Sequence, residues 1–154
     1  MRTARWAMLT LLAATTVTLA GGSVERSYVD HPIAPGGKSL PFSDAVRSGD
    51  TLYVAGHLGL DPKSGNAATD PASEATLVME AVKATVERAG YHMDDFVSVT
   101  VYCTDLNLYE TFNGVYQKYF QGHYPARAFI GADKLVRGAH FEVLGVAVRA
   151  QHAP

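Results

Sequence analysis

The sequence predicts an α+β domain in which two helices pack on one face of a mixed sheet. Runs that alternate apolar and polar residues, as strands do, lie early in the chain, in its centre and near its end. Two segments between these runs instead repeat their apolar residues at helical spacing. The resulting order is ββαβαββ, and such runs of strands around two helices are typical of an α+β domain.

The first two predicted strands are joined by a tight turn. The run "FSDAV" begins at Phe42, and the run "TLYVAGHL" covers residues 51–58. Ser48, Gly49 and Asp50 lie between them, and residues of these types favour a short turn. We therefore predict a β-hairpin in this part of the chain.

The first predicted helix has clear start and stop signals. Asp70 can cap its N-terminus, and Pro71 suits the first helical position. Apolar residues then recur at helical spacing, at Val78, Ala81, Val82, Val86 and Ala89. Gly90 follows directly and predicts the end of the helix.

The second half of the chain predicts a strand, a helix and two further strands. The run "DFVSVTVYCTD" alternates in a way that gives a strand one apolar face. Asn107 and Glu110 form a possible capping box for the second helix, whose apolar stripe includes Leu108, Phe112 and Tyr119. The runs "RAFIGA" and "HFEVLGVAVRAQ" then predict the last two strands.

Residues 1–20 have the pattern of a secretory signal peptide. Arg2 and Arg5 give a positive start, the following residues are uncharged and mostly apolar, and Thr18-Leu19-Ala20 is a candidate cleavage site. An N-terminal anchor helix that is never cut is the alternative. Cleavage would give an exported protein, periplasmic or secreted, with no stable membrane span in its mature form.

The rest of the chain divides into an arm and one domain. Residues 21–39 are rich in Pro, Gly and polar residues without periodicity, so they are predicted to be a linker or irregular arm. Residues 40–152 carry all the predicted strands and helices, and their length suits a single core.

Charge and cysteine content exclude several kinds of protein. The chain has 13 Lys and Arg against 15 Asp and Glu, and loss of Arg2 and Arg5 with the leader would give 11 − 15 = −4. No basic stripe remains, which argues against nucleic acid as a partner. Cys103 is the single cysteine, so no disulfide forms within the chain. The His and Cys residues show no metal-ligand spacing, so neither a metal nor a cofactor is expected.

Two charged residues within strand-like runs are candidates for function. Arg127 opens the run "RAFIGA", and Glu142 lies in the run "HFEVLGVAV". A charge is costly to bury unless it is paired or hydrogen-bonded. Taken alone, each residue is better explained by a salt bridge or a solvated strand face. A functional role is favoured only by the motifs around the two residues and by the spacing between them.

The chain resembles the RidA (YjgF) family through an ordered set of motifs. They lie within "LPFSDAVRSGDTLYVAGHLGLDPKSG", "AGYHMDDFVSVTVYCTDLNLYETFNGVYQKYF" and "PARAFIGADKLVRGAHFEVLGVAV". Together these stretches extend over residues 40–150, nearly the whole expected mature domain. The resemblance implies a chorismate-mutase-like fold, a homotrimer and active sites in the clefts between subunits. It also implies hydrolysis of reactive enamines and imines to 2-oxo acids and ammonia.

The resemblance also assigns roles to five residues of this chain. Arg127 would bind the substrate carboxylate, for which the planar guanidinium fork is suited. Glu142 would position the attacking water and act as a proton acceptor. Asn113 would face the cleft, Phe129 would offer main-chain groups, and Phe42 would line the pocket or pack in the core.

Several positions depart from the family pattern. His57 stands where the family has Gln, and it could lend a group that titrates near neutral pH or could simply be packed. Ala55, Ala128 and Leu144 replace further polar groups, and Phe42 lacks the hydroxyl of a Tyr. The alternative to an imine deaminase is therefore a non-catalytic trimer of the same fold that binds small carboxylates or another protein.

Overall fold

The computed structural model describes residues 24–32 and 38–149. The predicted leader lies outside these residues, as do residues 21–23 and 33–37 of the predicted arm. One six-stranded sheet has the order β1-β2-β3-β6-β4-β5. The strands are β1 (Arg26–Val29), β2 (Ala45–Ser48), β3 (Thr51–Leu58), β4 (Phe96–Cys103), β5 (Ala126–Gly131) and β6 (Phe141–Val148), and the helices are α1 (Pro71–Arg88) and α2 (Tyr109–Tyr116).

The predicted α+β class and the predicted order of elements are confirmed, with one strand added at the start. Strands β4 and β5 pair in parallel and the other neighbours pair antiparallel, so the sheet is mixed. The added strand β1 lies in the segment predicted to be irregular, and it pairs with β2. Its four residues are too few to show a convincing alternation, and the pairing comes from the edge that β2 offers.

Helix α1 begins and ends as the sequence predicts. The Asp70 side chain accepts a hydrogen bond from the Ser73 N–H at 2.8 Å, and Pro71 is the first helical residue. Gly90 follows the helix with φ of +76°, a conformation that glycine adopts without steric cost.

Helix α2 begins differently from the prediction. The Asp105 side chain accepts a hydrogen bond from the Asn107 N–H at 3.0 Å and opens a short 3₁₀ turn at Leu106–Leu108. The α-helical part starts only at Tyr109, after a residue that makes no side-chain cap. The predicted Asn107–Glu110 capping box is therefore wrong, because Asp105 satisfies the free N–H groups earlier in the chain.

The hydrophobic core lies between the two helices and one face of the sheet. Fully buried residues of α1, such as Val78 and Val82, share it with Val101 of β4 and Val143 of β6. Helix α2 contributes Phe112, whose ring lies 5.0 Å from that of Phe141 on β6. Both helices therefore cover the same face of the sheet, as predicted.

The opposite face of the sheet carries apolar side chains that no helix covers. A row across four strands pairs Tyr28 with Val46, Val46 with Tyr53, and Tyr53 with Val146. Tyr28 and Tyr53 keep 62% and 54% of their surface exposed. We refer to this side as the helix-free face.

A buried carboxylate fixes the start of α1 to the start of β6. Glu74 is fully buried and accepts hydrogen bonds from the backbone N–H groups of His140 and Phe141, at 2.6 and 2.9 Å. Its second oxygen accepts one from His140 Nδ1 at 2.6 Å. This contact fixes the first residue of β6, Phe141, which directly precedes Glu142.

Within the described part of the chain, neither helix has the length and apolar character that crossing a membrane requires. The same residues contain no group of three or more His, Cys, Asp or Glu placed to hold a metal ion.

Candidate active site

Arg127 lies on the edge strand β5, and α2 holds its guanidinium group. Its Nη2 donates a hydrogen bond to Asn113 Oδ1 at 2.7 Å and contacts the Tyr109 hydroxyl at 3.4 Å. Residues 109 and 113 are one helical turn apart, so both side chains lie on the same face of α2. Arg127 and Asn113, which the sequence predicts in one site, are thus in direct contact.

Aromatic rings surround the same guanidinium group. Its central carbon lies 4.6 Å from the centre of the Tyr116 ring, and 5.7 and 5.8 Å from those of Tyr109 and Phe129. Cations are attracted to aromatic faces at such distances. Burial raises the pKa of Tyr116 to about 12, so its phenol stays neutral beside the cation.

An open cleft of about 430 Å³ adjoins Arg127. Besides Arg127, the residues that line it are Glu110, Asn113, Tyr116, Gln117, Tyr124 and Pro125. In the described part of the chain, Arg127 Nε and Nη1 make no hydrogen bond. A cation that is already oriented and still has free donors can bind a carboxylate with little further ordering.

Phe129 follows Arg127 by two residues on β5, and its side chain packs inward. Its ring makes edge-to-face contacts with Tyr109 at 5.0 Å and with Phe112 at 5.6 Å. Because β5 is at the edge of the sheet, its outer backbone groups have no strand partner within the described chain. This placement is compatible with the expected main-chain role of Phe129, which stays a prediction.

Glu142 lies on β6 and points to the helix-free face. Its neighbours Phe141 and Val143 are buried in the core, and successive strand residues point to opposite faces. The carboxylate lies over Gly56 of β3, where any Cβ atom would overlap it. The glycine therefore makes the room that this side chain occupies.

Arg127 and Glu142 do not meet within one chain. Arg127 contacts α2 on the helix side of the sheet, whereas Glu142 lies on the helix-free face. A site that contains both residues needs two subunits, as the resemblance implies. Spacing along the sequence could not separate these arrangements, because it does not tell how the sheet edges of two chains meet.

Phe42 lies outside the Arg127 cleft of a single chain. It precedes β2, which begins at Ala45 rather than at Phe42 as predicted, and 54% of its surface is exposed. The alternative that Phe42 packs in the core of its own chain is therefore wrong. Its predicted place in a substrate pocket requires a neighbouring subunit.

His57 is packed beneath α1 and does not line the Arg127 cleft. Its Nδ1 donates to the Ala55 carbonyl at 2.7 Å, so Nε2 of the neutral ring accepts from the Thr85 hydroxyl at 2.8 Å. Arg88 also donates to Thr85 and pairs with the buried Asp44 at 2.6 Å. Burial lowers the pKa of His57 from 6.5, because the charged ring loses water.

Sequence reasoning missed much of the wall of the cleft. Five of the residues that line the cleft or contact Arg127 were not predicted as site residues: Tyr109, Glu110, Tyr116, Gln117 and Tyr124. Glu110, Asn113 and Gln117 do lie at positions i, i+3 and i+7, which was a usable signal for one helix face. Nothing in the spacing told which face of α2 would meet β5.

Known proteins resemble the chain in sequence and in fold. The sequence model of the family described as Endoribonuclease L-PSP matches residues 35–149. A protein of Salmonella typhimurium named 2-iminobutanoate/2-iminopropanoate deaminase is 35% identical over 112 residues, which are 71% of this chain and 88% of that protein. A protein of the same name from Dermatophagoides farinae is 31% identical over 124 residues, which are 80% of this chain and 96% of that protein.

A solved structure extends the likeness to three dimensions. The crystal structure of Escherichia coli TdcF with bound serine superposes with a TM-score of 0.72 at 29% identity. The alignment covers 80% of this chain and 100% of that one. The likeness therefore extends over the whole of that domain.

Proposed function

Because the chain belongs to the RidA family, we propose that it is a hydrolytic deaminase of 2-imino acids and their enamine forms. The products would be 2-oxo acids and ammonia. Relatives at 31–35% identity bear the name of this activity. The observation that carries the proposal is Arg127, whose guanidinium is held by Asn113 at 2.7 Å beside an open cleft.

The carboxylate of the substrate binds first. A 2-imino acid carries a carboxylate next to its C=N bond, and Arg127 still has free Nε and Nη1 donors. Asn113 and the ring of Tyr116 hold the guanidinium plane before the substrate arrives. The imine carbon, which is next to the carboxylate, is then held in a fixed position beside Arg127, and this lowers the entropic part of the activation barrier.

Hydrolysis then requires a water molecule on the imine carbon. The water oxygen forms a bond to that carbon while one of its protons passes to a carboxylate, the role we give to Glu142. Return of that proton to nitrogen gives a carbinolamine, in which the former imine carbon carries one OH and one NH2 group. The hydroxyl proton then passes to nitrogen as the C–N bond breaks, so that ammonia leaves and the 2-oxo acid remains.

This chemistry needs a homotrimer in which one subunit supplies Arg127 and the next supplies Glu142. Two observations support the assembly. The pair lies on opposite sides of the sheet in one chain, and the helix-free face exposes apolar side chains such as Tyr53. A closed cyclic assembly would bury that face and bring the two residues to a shared cleft.

The direct test is ammonia release from freshly generated 2-iminopropanoate and 2-iminobutanoate. We expect the wild-type chain to release ammonia faster than spontaneous hydrolysis in buffer does. Rates equal to those in buffer for both imines, measured on folded and assembled protein, would reject the proposed activity.

A non-catalytic carboxylate-binding module is the second candidate. It is favoured by the loss of polar groups near the expected site, including Leu144, which lies two residues after Glu142 on the same sheet face. Binding alone would require Arg127 but not Glu142. The two candidates therefore differ in whether the chain turns over imines at all and whether that turnover depends on the Glu142 carboxylate.

The family description also raises RNA cleavage. Binding an RNA backbone requires several cations in a row. The cleft offers Arg127 as a cation next to Glu110, and the chain as a whole has fewer basic than acidic residues. These features favour a small carboxylate over a polyanion as the ligand.

A further inference from the structure

The Arg127 cleft contains an acidic side chain that the proposed reaction does not use. Glu110 is exposed, lines the cleft, and makes no hydrogen bond or ion pair within the described part of the chain. Arg127 is the cation among the lining residues. The charge of Glu110 is therefore available to act on whatever Arg127 binds.

Helix geometry places Glu110 beside the expected position of the ligand. Glu110 precedes Asn113 by three residues on α2, and side chains so spaced are neighbours, with Cβ atoms about 5–6 Å apart. Asn113 is itself bonded to Arg127 Nη2 at 2.7 Å. Gln117 continues the same helix face, so the wall next to the guanidinium is one acidic and two amide side chains.

We infer that Glu110 is a specificity-determining residue that disfavours ligands with a second negative charge. This inference rests on the proposed role of Arg127 as the carboxylate grip. The ligand class it defines is 2-imino and 2-oxo acids whose side chains are neutral or cationic. Acidic side chains are disfavoured because Arg127 neutralises one carboxylate and Glu110 repels the next.

Coulomb's law gives the size of the effect. Two like charges about 7 Å apart at an effective dielectric constant of about 40 repel enough to weaken binding roughly tenfold. The Glu110 carboxylate and the second carboxylate of the ligand are both partly exposed. Added salt should therefore screen their repulsion and reduce the loss of affinity. The effect is therefore large enough to measure and has a second signature in its dependence on ionic strength.

The test compares two ligands of equal chain length, 2-oxopentanoate and 2-oxopentanedioate, by calorimetric titration. In the wild type we expect the dicarboxylate to bind more weakly at low salt. In Glu110→Gln, the Kd of 2-oxopentanedioate divided by the Kd of 2-oxopentanoate should fall roughly five- to tenfold. A matched control is Glu87→Gln, which makes the same change on an exposed part of α1 outside the Arg127 cleft.

The Glu87→Gln control should leave the ratio as it is in the wild type. An unchanged ratio in Glu110→Gln, or an equal change in both variants, would overturn the inference. The result is separable from the proposed function, because both ligands are stable 2-oxo acids whose binding is measured without any turnover. A chain that shows the Glu110 effect but never releases ammonia would keep the inference and lose the deaminase activity.

Discussion

Arg127 is held in place before any ligand arrives. Its guanidinium contacts Asn113, Tyr109 and the ring of Tyr116, all of which come from α2. This explains how a fixed cation is tolerated in a strand next to the core. The same contacts specify a planar group, and a primary ammonium of the same charge cannot reproduce them.

The first prediction concerns this planar geometry. Arg127→Ala should abolish both ammonia release and binding of a stable 2-oxo acid, because it removes the charge-assisted grip. Arg127→Lys should retain only weak binding, since a point charge cannot make two parallel hydrogen bonds. Titration calorimetry and ammonia assays measure these effects, and circular dichroism checks that the fold is intact. Activity of Arg127→Lys close to that of the wild type would contradict the role.

The second prediction concerns His57 and pH. Burial lowers its folded pKa below 6.5, so the unfolded chain takes up a proton at a higher pH than the folded chain does. The contribution of His57 to stability is thus complete above pH 6.5 and is lost as the pH falls from 6.5 toward the lowered folded pKa. The hydrogen bond to the Ala55 carbonyl and the charge of Asp44 oppose this shift in the pKa of His57, whereas Arg88 and His31 reinforce it.

Urea unfolding between pH 5 and pH 7.5 should therefore show a free energy of unfolding that decreases on the acid side. In His57→Gln, whose amide can still bond Thr85, the decrease should be smaller. Equal slopes for the variant and the wild type would show that His57 does not titrate in this way. Lys83→Gln, a change of a side chain that does not touch this network, serves as the control.

At the scale of elements, one contact links helix α1 to the strand that carries Glu142. Glu74 accepts three hydrogen bonds from His140 and Phe141 at the start of β6. Gly59 permits this contact, because a Cβ atom there would overlap the Glu74 backbone. The buried Glu74 side chain, which accepts hydrogen bonds through both oxygens, therefore positions the strand that carries Glu142 without contacting the site itself.

The third prediction follows from that contact. Glu74→Ala leaves one buried donor, the Phe141 N–H, and two partly buried donors of His140 without their acceptor, so unfolding free energy should fall by about 3 kcal/mol. Glu74→Gln keeps an acceptor for the two backbone N–H groups and should lose clearly less. Urea titrations compare the two variants. Equal losses would show that packing of the side chain, rather than its hydrogen bonds, fixes β6.

The sequence predicted most elements because their signals are local. Asp70, Pro71 and Gly90 define α1 by short-range chemistry, and the structure confirms them. The start of α2 was wrong because Asp105 and Asn107 are both capping residues and sequence alone did not rank them. Strand β1 was missed because a four-residue edge strand depends on its partner.

The candidate site was only partly predictable for a related reason. Arg127 and Asn113 were assigned to one site through a resemblance, and the structure brings them into contact. The aromatic rings around Arg127 were not assigned, because the phase of α2 relative to β5 is a property of the packed core. The separation of Arg127 from Glu142 likewise follows from strand alternation combined with the position of the helices.

At the scale of the whole molecule, export remains a proposal based on the first 20 residues. The fourth prediction is a mature N-terminus close to Gly21, since Thr18-Leu19-Ala20 suits signal peptidase. Intact-mass measurement of protein recovered from the secreted or periplasmic fraction of its host tests this. A full-length chain found only in the cytosol would contradict the proposal.

The central claim is that one catalytic cleft takes Arg127 from one subunit and Glu142 from another. Within a single chain the two residues lie on opposite sides of the sheet. In a cyclic trimer, subunits with different substitutions can therefore complement one another. Glu142→Gln should by itself still bind 2-oxo acids but lose turnover by roughly two orders of magnitude or more.

The measurement that tests this claim most directly is ammonia release by trimers in which Arg127→Ala and Glu142→Gln chains are co-expressed in equal amounts. Each variant alone should be nearly inactive, and light scattering should give the mass of a trimer for both. With random mixing, about one site in four receives both native residues, so about a quarter of wild-type activity should return. Mixed trimers no more active than either parent would contradict the intersubunit site.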